Sequence, residues 1–368
     1  MLRQYTSVKV TPKAEKSLKN GHPWVFSDEI TEVNGRYENG DIVDVFSAKD
    51  RYLGSGFIND NSKIRVRVIS RNANDKFDEA FYKRRLKYAV DYRKTVMGDD
   101  FSCCRLIFGE ADQFPGLTVD RFSDVLSVQI ACLGIERIKD MLYRSLLQVL
   151  CEYGVNISAI YERNDLAVRS IEGLPQYKGF YEAEGLKNDL SGHVIITENN
   201  IKYDVDYING QKTGFFLDQK YNRAAVAKIA KGKTVLDCFT HTGAFALNAA
   251  KGGAVSVTAV DISHDALECA KNNARLNGID NMDFVAADVF DLLTEMSKSG
   301  RGPDDFIILD PPAFTKSSGT LKNAIRGYKE INLKAMKLLP RGGYLATCSC
   351  SHFMNDTSVS YTHLTLPT

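Results

Sequence analysis

Two cysteines near the carboxyl end of the chain follow the short apolar segment Tyr344 to Thr347, in the sequence YLATCSCSHF. A thiolate that adds to C6 of a pyrimidine turns the ring into an enamine, whose C5 can then accept a methyl group. Cys350 lies further beyond the predicted strand than Cys348, so we expect its thiol to be partly exposed and to be the nucleophile. If the strand continued to Ser351, both thiols would lie on one side of it. The alternatives are two small buried side chains or half of a metal site, and the six scattered histidines disfavour the metal.

An acidic side chain follows the apolar segment Phe306 to Leu309, where the sequence continues Asp310-Pro311-Pro312. Consecutive prolines fix φ and remove two backbone donors. The carbonyl groups and the Asp310 carboxyl group therefore remain as hydrogen-bond acceptors for a base with an exocyclic amine. A protonated Asp310 could also donate a hydrogen bond to N3 of a pyrimidine and stabilise a thiol adduct. The motif indicates a planar nitrogenous substrate but does not identify the base.

A cofactor site is indicated by the segment Thr234 to Phe245, whose sequence is TVLDCFTHTGAF. It predicts a strand, a short loop that closes at Gly243 and the start of a helix, and the N–H groups of such a loop face a ligand. Its single glycine does not match the G-x-G-x-x-G pattern that binds a dinucleotide pyrophosphate, which disfavours an oxidoreductase. Asp237 at the strand end repels phosphates but suits an amino group. S-adenosylmethionine (SAM), which carries an amino group and a sulfonium, meets this requirement.

Acidic residues follow the next two predicted strands as well. Asp261 comes after Ser256 to Val260 and can accept hydrogen bonds from both ribose hydroxyls. Asp288 and Val289 follow Phe284 to Ala286 and could bind adenine, the first through its amino group and the second by apolar contact. An α/β sheet whose strands merely end in solvated aspartates is the alternative. The predicted cofactor contacts in this region are Asp237, Phe239, Thr240, Thr242, Gly243, Asp261, Ile262, Asp288, Val289 and Asp310.

Two further cofactor contacts are predicted upstream, in the sequence KTGFFLDQ. Phe216 and Gln219 adjoin the start of a helix expected from Asp218 to Ala230, and they could cover the methionine end of the cofactor. Ordinary packing and capping are the alternatives for these two residues.

The composition of the whole chain limits the classes of protein to consider. Its 368 residues are expected to form two or three domains. The net charge of +1 argues against a protein coated in positive charge, so basic residues that bind nucleic acid must be grouped locally. The eight cysteines lack paired spacing, and neither a signal peptide nor a membrane-length apolar run is evident. These features predict a cytoplasmic protein with free thiols and no membrane contact.

The first part of the chain predicts a small β-barrel and the next part an α+β region. Predicted barrel strands are Ser7 to Val10, Asp41 to Phe46, Leu53 to Ile58 and Ile64 to Ile69. Trp24 is expected in the core, with base stacking as the alternative. The middle region predicts a helix from Ile135 to Tyr153 and strands from Ile157 to Tyr161 and from Leu166 to Val168. The predicted domains are residues 1–72, 73–190 and 191–368.

Several of these segments resemble known families. The sequences TPKAEKSLKNGHPWVFSDEI and GDIVDVFSAKDRYLGSGFIN resemble a PUA domain, a small RNA-binding barrel. Together with DCFTHTGAFALNAA, DPPAFTKS, RGYKEIN and GGYLATCSCSHFM, they make the chain resemble the PUA-containing class I methyltransferases that modify C5 of a cytosine in 23S ribosomal RNA. The resemblance implies a Rossmann-like α/β domain preceded by a small PUA β-barrel and an α+β middle domain. It also implies SAM as cofactor, ribosomal RNA as partner, Cys350 as nucleophile and Asp310 as the acid of the DPP motif.

A basic cluster lies within a helix predicted from Phe77 to Met97 and includes Lys83, Arg84 and Arg85. A solvated helix face is the ordinary explanation of such a run. Because the helix lies between the RNA-binding barrel and the cofactor domain, we also expect phosphate contacts from this cluster. The sequence does not determine the oligomeric state, and a homodimer is one expectation.

The last residues depart from the resemblance. The tail SVSYTHLTLPT has no strand-helix pattern, which suggests an atypical, truncated terminus. The strand that leads to Cys350 is then expected to be an apolar sheet edge, which favours aggregation. Two alternatives to C5 methylation also stay open: methylation of an adenine or guanine amino group, and RNA binding without catalysis.

Overall fold

A computed structural model describes residues 5–299, 305–315, 319 and 321–350. The chain divides into two compact units, of which the first contains Met1–Ile196 and Val205–Leu217 and the second contains Thr197–Asp204 and Asp218–Thr368. The predicted barrel and middle domain both lie in the first unit, and the division into three domains stays a prediction. The atypical tail lies outside the described residues. Within the described part of the chain, no helix combines the length and apolar character needed to cross a membrane.

A six-stranded sheet forms the amino-terminal part of the first unit. Its strands are β1 (Thr6–Val10), β2 (Trp24–Phe26), β3 (Ile30–Asn34), β4 (Ile42–Ser47), β5 (Tyr52–Ile58) and β6 (Ile64–Ser70). They lie in the order β2-β6-β5-β4-β1-β3, and only β1 and β4 run parallel. The four strands predicted in this region are confirmed, whereas β2 and β3 were not predicted.

Helix α1 (Pro12–Lys19) was also missed, although the sequence contains its start signal. The Thr11 side chain accepts a hydrogen bond from the Ala14 N–H at 3.3 Å, and Pro12 occupies a first-turn position that needs no donor. Ala14 and Leu18 are buried in the core of the sheet. A Thr-Pro pair before an apolar residue was the available clue.

A five-stranded sheet and its helices form the rest of the first unit. The strands are β7 (Cys103–Phe108), β8 (Leu117–Phe122), β9 (Val125–Ile130), β10 (Ala159–Asn164) and β11 (Tyr177–Phe180), in the order β11-β10-β9-β8-β7. The helices are α2 (Glu79–Met97), α3 (Leu133–Arg137), α4 (Lys139–Glu152) and α5 (Val168–Ile171). Helix α2 packs against α4 and β7.

Two predictions for this sheet region were wrong. The helix expected from Ile135 to Tyr153 is interrupted at Ile138, whose ψ of 11° leaves the helical range. The segment Leu166 to Val168 is not a strand but leads into the helical turn α5. The fully buried side chain of Arg169, which donates to the Ile130 carbonyl at 2.6 Å, anchors this turn to the sheet. A three-residue apolar pattern could not reveal that long-range contact.

The hydrophobic core of the five-stranded sheet also includes Phe57 and Ile69 of the six-stranded sheet. The Phe57 ring packs so closely on Gly134 that a Cβ there would lie 2.2 Å from ring atoms. The Trp24 indole N–H donates to Glu110 at 2.9 Å, and the Arg67 guanidinium lies 5.7 Å from the Trp24 ring. Trp24 therefore braces the two sheets, which favours its structural role over base stacking.

The second unit is built on five parallel strands. They are β14 (Thr234–Cys238), β15 (Ser256–Asp261), β16 (Met282–Ala286), β17 (Phe306–Leu309) and β18 (Tyr344–Thr347). Its helices are α6 (Lys220–Ile229), α7 (Ala244–Lys251), α8 (His264–Leu276), α9 (Val289–Ser299) and α10 (Leu321–Leu338). Before them, β12 (His193–Glu198) and β13 (Ile201–Asp206) form a separate two-stranded sheet.

The strand order β16-β15-β14-β17-β18 determines where a ligand can bind. The chain adds strands outward from β14 to one side and then returns to the other side with β17. At such a reversal the crossover connections diverge and leave a crevice at the carboxyl ends of the central strands. Every residue of the inner strand β17 is buried and apolar, as expected of a parallel strand that is covered on both faces. The fold thus directs ligands to the ends of β14 and β17.

Candidate active site

The ends of three neighbouring strands bring the predicted site residues together. In the parallel register Cys238 pairs with Leu309, and Leu309 pairs with Thr347. The backbone N–H of Asp310 lies 3.4 Å from the Cys238 carbonyl, and the Cys348 N–H donates to the Leu309 carbonyl at 2.8 Å. The loop after β14, the DPP segment after β17 and the cysteines after β18 therefore leave the sheet side by side.

The loop after β14 is held in an unusual backbone conformation. Phe239 and His241 have left-handed φ values of 63° and 51°, which non-glycine residues seldom adopt. Gly243 has a φ of 81°, and a Cβ there would lie 2.9 Å from the Ala270 Cβ. Its N–H donates to the Thr240 carbonyl at 2.9 Å. The backbone of this loop is therefore strained, and a glycine is required where the loop meets α8.

The Asp237 side chain is buried beneath this loop and stabilises it through hydrogen bonds. Its side chain is fully buried, and Oδ2 accepts hydrogen bonds from the Thr240 hydroxyl at 2.6 Å and the Ala246 N–H at 3.0 Å. Burial raises the pKa of Asp237 to about 7, against the opposing effect of the Thr240 hydrogen bond. The buried Oδ1 has no hydrogen-bond partner. A cationic amino group such as that of SAM would complete its environment, so this carboxyl fits the predicted cofactor.

Asp261 also has a structural contact that the sequence did not reveal. Oδ2 accepts a hydrogen bond from the His241 N–H and Oδ1 one from the Ser263 N–H, each at 2.9 Å. Since a carboxylate oxygen has two lone pairs, both oxygens can still accept a ribose hydroxyl. The side chain of Ile262 is 70% exposed and provides an apolar surface beside this carboxylate. These residues therefore fit a nucleoside.

The residues predicted to bind adenine differ in their surroundings. Asp288 is exposed, and its Oδ1 accepts hydrogen bonds from the N–H groups of Phe290 and Asp291 at the start of α9. The side chain of Val289 is only 3% exposed and belongs to the hydrophobic core. This side chain therefore has little surface left for the expected apolar contact with adenine, and that contact stays a prediction. Ile262 is the exposed apolar side chain available for that role.

Phe216 and Gln219 lie on opposite sides of the division between the two units. The Lys212 ammonium lies 4.5 Å from the centre of the Phe216 ring in the first unit. In the second unit, the Gln219 side-chain carbonyl accepts a hydrogen bond from Asn222 at 2.6 Å, next to the start of α6. The predicted contact of both residues with the cofactor stays a prediction.

The two cysteines have different environments because β18 ends at Thr347. Strand alternation therefore does not extend to the cysteines. Cys348 is half-buried beside the core, and burial, followed by the charge of Asp310, raises the pKa of its thiol to about 12. Cys350 is exposed, and its Sγ lies 3.7 Å from the Pro311 carbonyl oxygen. Cys350 is the thiol that a substrate could reach, next to the DPP segment.

Tyr328 on α10 joins the cysteine segment to the DPP segment, although sequence reasoning assigned it no role. Its side chain is fully buried, and its hydroxyl accepts a hydrogen bond from the Ser349 hydroxyl at 3.0 Å. Its ring lies 4.6 Å from that of Phe314, centre to centre. Gly327 permits this approach, since a Cβ there would be 3.1 Å from the Phe314 ring. The RGYKEIN segment was the only available clue.

The predicted basic cluster of α2 is largely engaged in internal contacts. Lys83 donates to Gln148 at 3.0 Å, and Arg84 lies 3.6 Å from an oxygen of Asp75. Arg85 is mostly buried and donates to the Ile69 carbonyl at 2.6 Å. Arg85 is thus partly structural, and the side chain of Arg84 is 48% exposed. RNA contact by this cluster stays a prediction.

Two known protein families match this chain, one near its amino terminus and one in its carboxyl-terminal half. Residues 8–71 match the PUA-like domain family, and residues 176–364 match the S-adenosylmethionine-dependent methyltransferase family. A putative SAM-dependent methyltransferase from Streptococcus mutans has the same fold, with a TM-score of 0.78 and 24% identity over 97% of this chain and 89% of that one. A putative methyltransferase solved in complex with SAH has a TM-score of 0.79 and 23% identity over the same shares.

Curated relatives extend the likeness to nearly the whole chain. Ribosomal RNA large subunit methyltransferase I of Aeromonas salmonicida is 42% identical over 346 residues, which span 93% of this chain and 85% of that protein. The protein of the same name from Shewanella denitrificans is 42% identical over 354 residues, or 95% and 86% of the two chains. The Rossmann-like sheet, the SAM-compatible crevice and these relatives lead to one conclusion. The chain belongs to the S-adenosylmethionine-dependent methyltransferases, in the family of ribosomal RNA large subunit methyltransferase I.

Proposed function

We propose that this protein methylates C5 of a cytosine in large-subunit ribosomal RNA, with Cys350 as the nucleophile. The observation that carries the proposal is the exposed Cys350 thiol, 3.7 Å from the Pro311 carbonyl, at the same sheet edge as the buried carboxyl of Asp237. Transfer to an exocyclic amino group requires no thiol, whereas C5 becomes nucleophilic only after addition at C6. The names of the curated relatives support ribosomal RNA as the substrate.

The proposed chemistry assigns one task to each of two side chains. The Cys350 thiolate adds to C6, forming a carbon–sulfur bond and moving electron density to C5. Asp310, when protonated, donates to N3 and stabilises the adduct. SAM, when bound, supplies the methyl group from its sulfonium. Transfer of the C5 proton to a water molecule then leaves its bonding pair to form the C5–C6 double bond, and the bond between C6 and Sγ breaks to release the thiolate and restore the aromatic ring.

The other site residues are proposed to bind the cofactor. When SAM binds, Asp237 Oδ1 would hold its amino group, Asp261 would accept its ribose hydroxyls, and Ile262 would contact its adenine. Asp288 is proposed to accept the adenine amino group, while its other contacts cap α9. The PUA-like domain is proposed to position structured RNA through its backbone and shape.

The direct test is to map methylated bases in ribosomal RNA. Large-subunit RNA from cells that lack the gene is expected to lose a single 5-methylcytosine, which returns when the wild-type gene is restored. A methyl group on an exocyclic nitrogen would overturn the C5 assignment and leave SAM-dependent transfer intact. Unchanged methylation in both cell lines would overturn ribosomal RNA as the substrate.

Tyr328 is expected to position the nucleophile without touching the reactants. In a Tyr328→Phe variant the hydroxyl that holds Ser349 is lost, while the ring packing against Phe314 is kept. We expect kcat to fall roughly three- to tenfold, the effect of one hydrogen bond, with the KM for SAM unchanged. The rate at which iodoacetamide alkylates Cys350 should also change, because the segment that carries it is released.

Tyr344→Phe is the matched control, since the Tyr344 side chain is 47% exposed on β18. It should leave both kcat and the alkylation rate at wild-type values. Wild-type kcat and alkylation in the Tyr328→Phe variant would show that the hydrogen bond has no positioning role.

A further inference from the structure

A cleft in the first unit lies between helix α2 and the turn that follows β7. Its cavity volume is about 320 Å³. We call it the α2 cleft, and it is lined by Arg84, Arg85, Tyr88, Ala89, Ala111, Asp112 and Gln113. A cavity of this volume is at the lower end of the range for small-ligand sites, so it suits a ligand of about the size of one nucleotide.

One cation of the α2 cleft is held rigidly. Arg85 donates to the Ile69 carbonyl and to the Gln113 side chain, and its guanidinium lies 4.3 Å from the centre of the Phe81 ring. Asp75 is 3.8 Å from the same guanidinium. Because Arg85 is already ordered, it would lose little conformational entropy when an anion binds.

The charged side chains in and around the cleft carry a net positive charge, even when the nearby carboxylates are counted. Asp112 is neutralised by Arg93, which donates to its two oxygens at 3.1 and 2.6 Å. Asp75 lies beside both Arg84 and Arg85, so two guanidiniums share one carboxylate. The remaining positive charge is suited to a phosphate group.

An exposed aromatic stripe runs along the same helix. Tyr88 is 61% exposed and Tyr92 is 58% exposed. Arg84, Tyr88 and Tyr92 are spaced by four residues, so they lie on one face of α2. A tyrosine ring exposed beside two guanidiniums offers both a stacking surface and a phosphate contact.

We propose that the α2 cleft binds one unpaired nucleotide of the substrate RNA, with its base against Tyr88 and its phosphate against Arg84 and Arg85. The inference rests on the proposed RNA methyltransferase function and adds a second RNA contact, separate from the cysteine site. A base must be unstacked to lie on an aromatic side chain, so the cleft selects single-stranded rather than duplex RNA. An acidic peptide would match the charge but would not need the exposed tyrosine rings.

The test compares binding of two fluorescent RNA probes by anisotropy at several salt concentrations. The probes are an unstructured oligouridine and a perfect RNA duplex, and the protein is the full chain. Tyr88→Ala should weaken oligouridine binding roughly tenfold, as loss of one stacked base does, while Tyr88→Phe should bind like the wild type. Arg84→Gln should lower the salt slope for oligouridine by about 0.7, the value for one phosphate contact.

Arg85 is not substituted, because its buried side chain supports the fold. Ile171→Ala is the matched control: this side chain is 56% exposed in the same unit but lies on α5. It should leave both affinities unchanged, and thermal unfolding should show that every variant is folded. The Tyr88 and Arg84 variants should still bind SAM, as measured by calorimetry, and this readout separates the proposed nucleotide contact from the proposed reaction.

Three outcomes would overturn the inference. The first is wild-type affinity for oligouridine in Tyr88→Ala. The second is an equal loss for oligouridine and duplex, which would indicate a backbone contact without stacking. The third is binding of a polyglutamate peptide that Tyr88→Ala abolishes while RNA binding persists. Failure of ribosomal RNA methylation in the mapping experiment would instead contradict the proposed function and leave oligouridine binding measurable.

Discussion

Cys350→Ser is expected to abolish methyl transfer to RNA while SAM still binds with wild-type affinity. The serine hydroxyl is a much weaker nucleophile than a thiolate, and loss of a nucleophile lowers kcat by roughly 10³-fold or more. The Cys350 side chain is exposed and packs little, so the variant should remain folded. Transfer is measured with radiolabelled SAM, and cofactor binding is measured by calorimetry.

Cys348→Ser provides the matched control, two residues away. Burial and the charge of Asp310 keep the pKa of Cys348 at about 12, so its thiol stays protonated near neutral pH. The control should therefore retain transfer, with a stability loss from placing a hydroxyl in a half-buried site. Full activity in Cys350→Ser, or loss of activity only in Cys348→Ser, would contradict the assignment of Cys350.

Electrophoresis on a denaturing gel can detect the covalent adduct directly. An RNA that carries 5-fluorocytosine at the target position cannot lose a proton from C5, so the bond between C6 and Cys350 should persist. We expect a slowly migrating protein–RNA band for the wild type and for Cys348→Ser. The band should be absent for Cys350→Ser.

Asp237→Asn is expected to weaken SAM binding roughly tenfold to hundredfold. The buried Oδ1 lacks a partner, and an ion-paired hydrogen bond to the cofactor's amino group has this magnitude. Asparagine has nearly the same shape, so the contacts with Thr240 and Ala246 can be partly preserved. Calorimetry at pH 8 measures the loss, at a pH where the wild-type carboxyl is ionised.

The dependence of SAM affinity on pH gives a second signature of the same carboxyl. Burial raises the pKa of Asp237 to about 7 without cofactor, and only the ionised form attracts an ammonium group. The affinity of the wild type is therefore expected to rise as the pH increases through about 7 and then to level off. The affinity of Asp237→Asn should change little over this range.

Without cofactor, the free energy of unfolding should fall as the pH rises, whereas the SAM affinity should rise. Between the ordinary pKa of 3.8 and about 7, the folded protein keeps a proton on Asp237 that the unfolded chain has released. This group therefore makes the free energy of unfolding fall as the pH rises across that window, and the contribution disappears in Asp237→Asn. Urea unfolding at pH 5 and pH 7 measures it.

Asp283→Asn is the control for both experiments, because this exposed carboxyl lies on β16 of the same sheet. It should leave SAM affinity and its pH dependence unchanged. If Asp237→Asn binds SAM like the wild type at pH 8, the proposed contact between Oδ1 and the amino group is wrong.

The sequence alone determined the elements that carry the chemistry. The strands predicted from Phe306 to Leu309 and from Tyr344 to Thr347 are both confirmed. The first is buried at every position, and a parallel strand of that kind needs an unbroken apolar run. The prediction of a SAM-dependent methyltransferase fold is confirmed as well. It depended on acidic residues after three successive predicted strands, on the single-glycine loop after the first of them and on the resemblance of several motifs to one family.

Tertiary structure alone decided what each of these side chains contacts. Only packing reveals that Cys348 is half-buried while Cys350 is exposed, that Val289 lies in the core, and that the Asp261 carboxyl holds the His241 backbone. The sequence gives no sign that Arg85 differs from the other basic residues of its helix, yet its guanidinium donates a hydrogen bond to the Ile69 carbonyl. These contacts join residues far apart in the chain. Burial, partners and pKa therefore depend on how the sheets and helices meet, which no local pattern encodes.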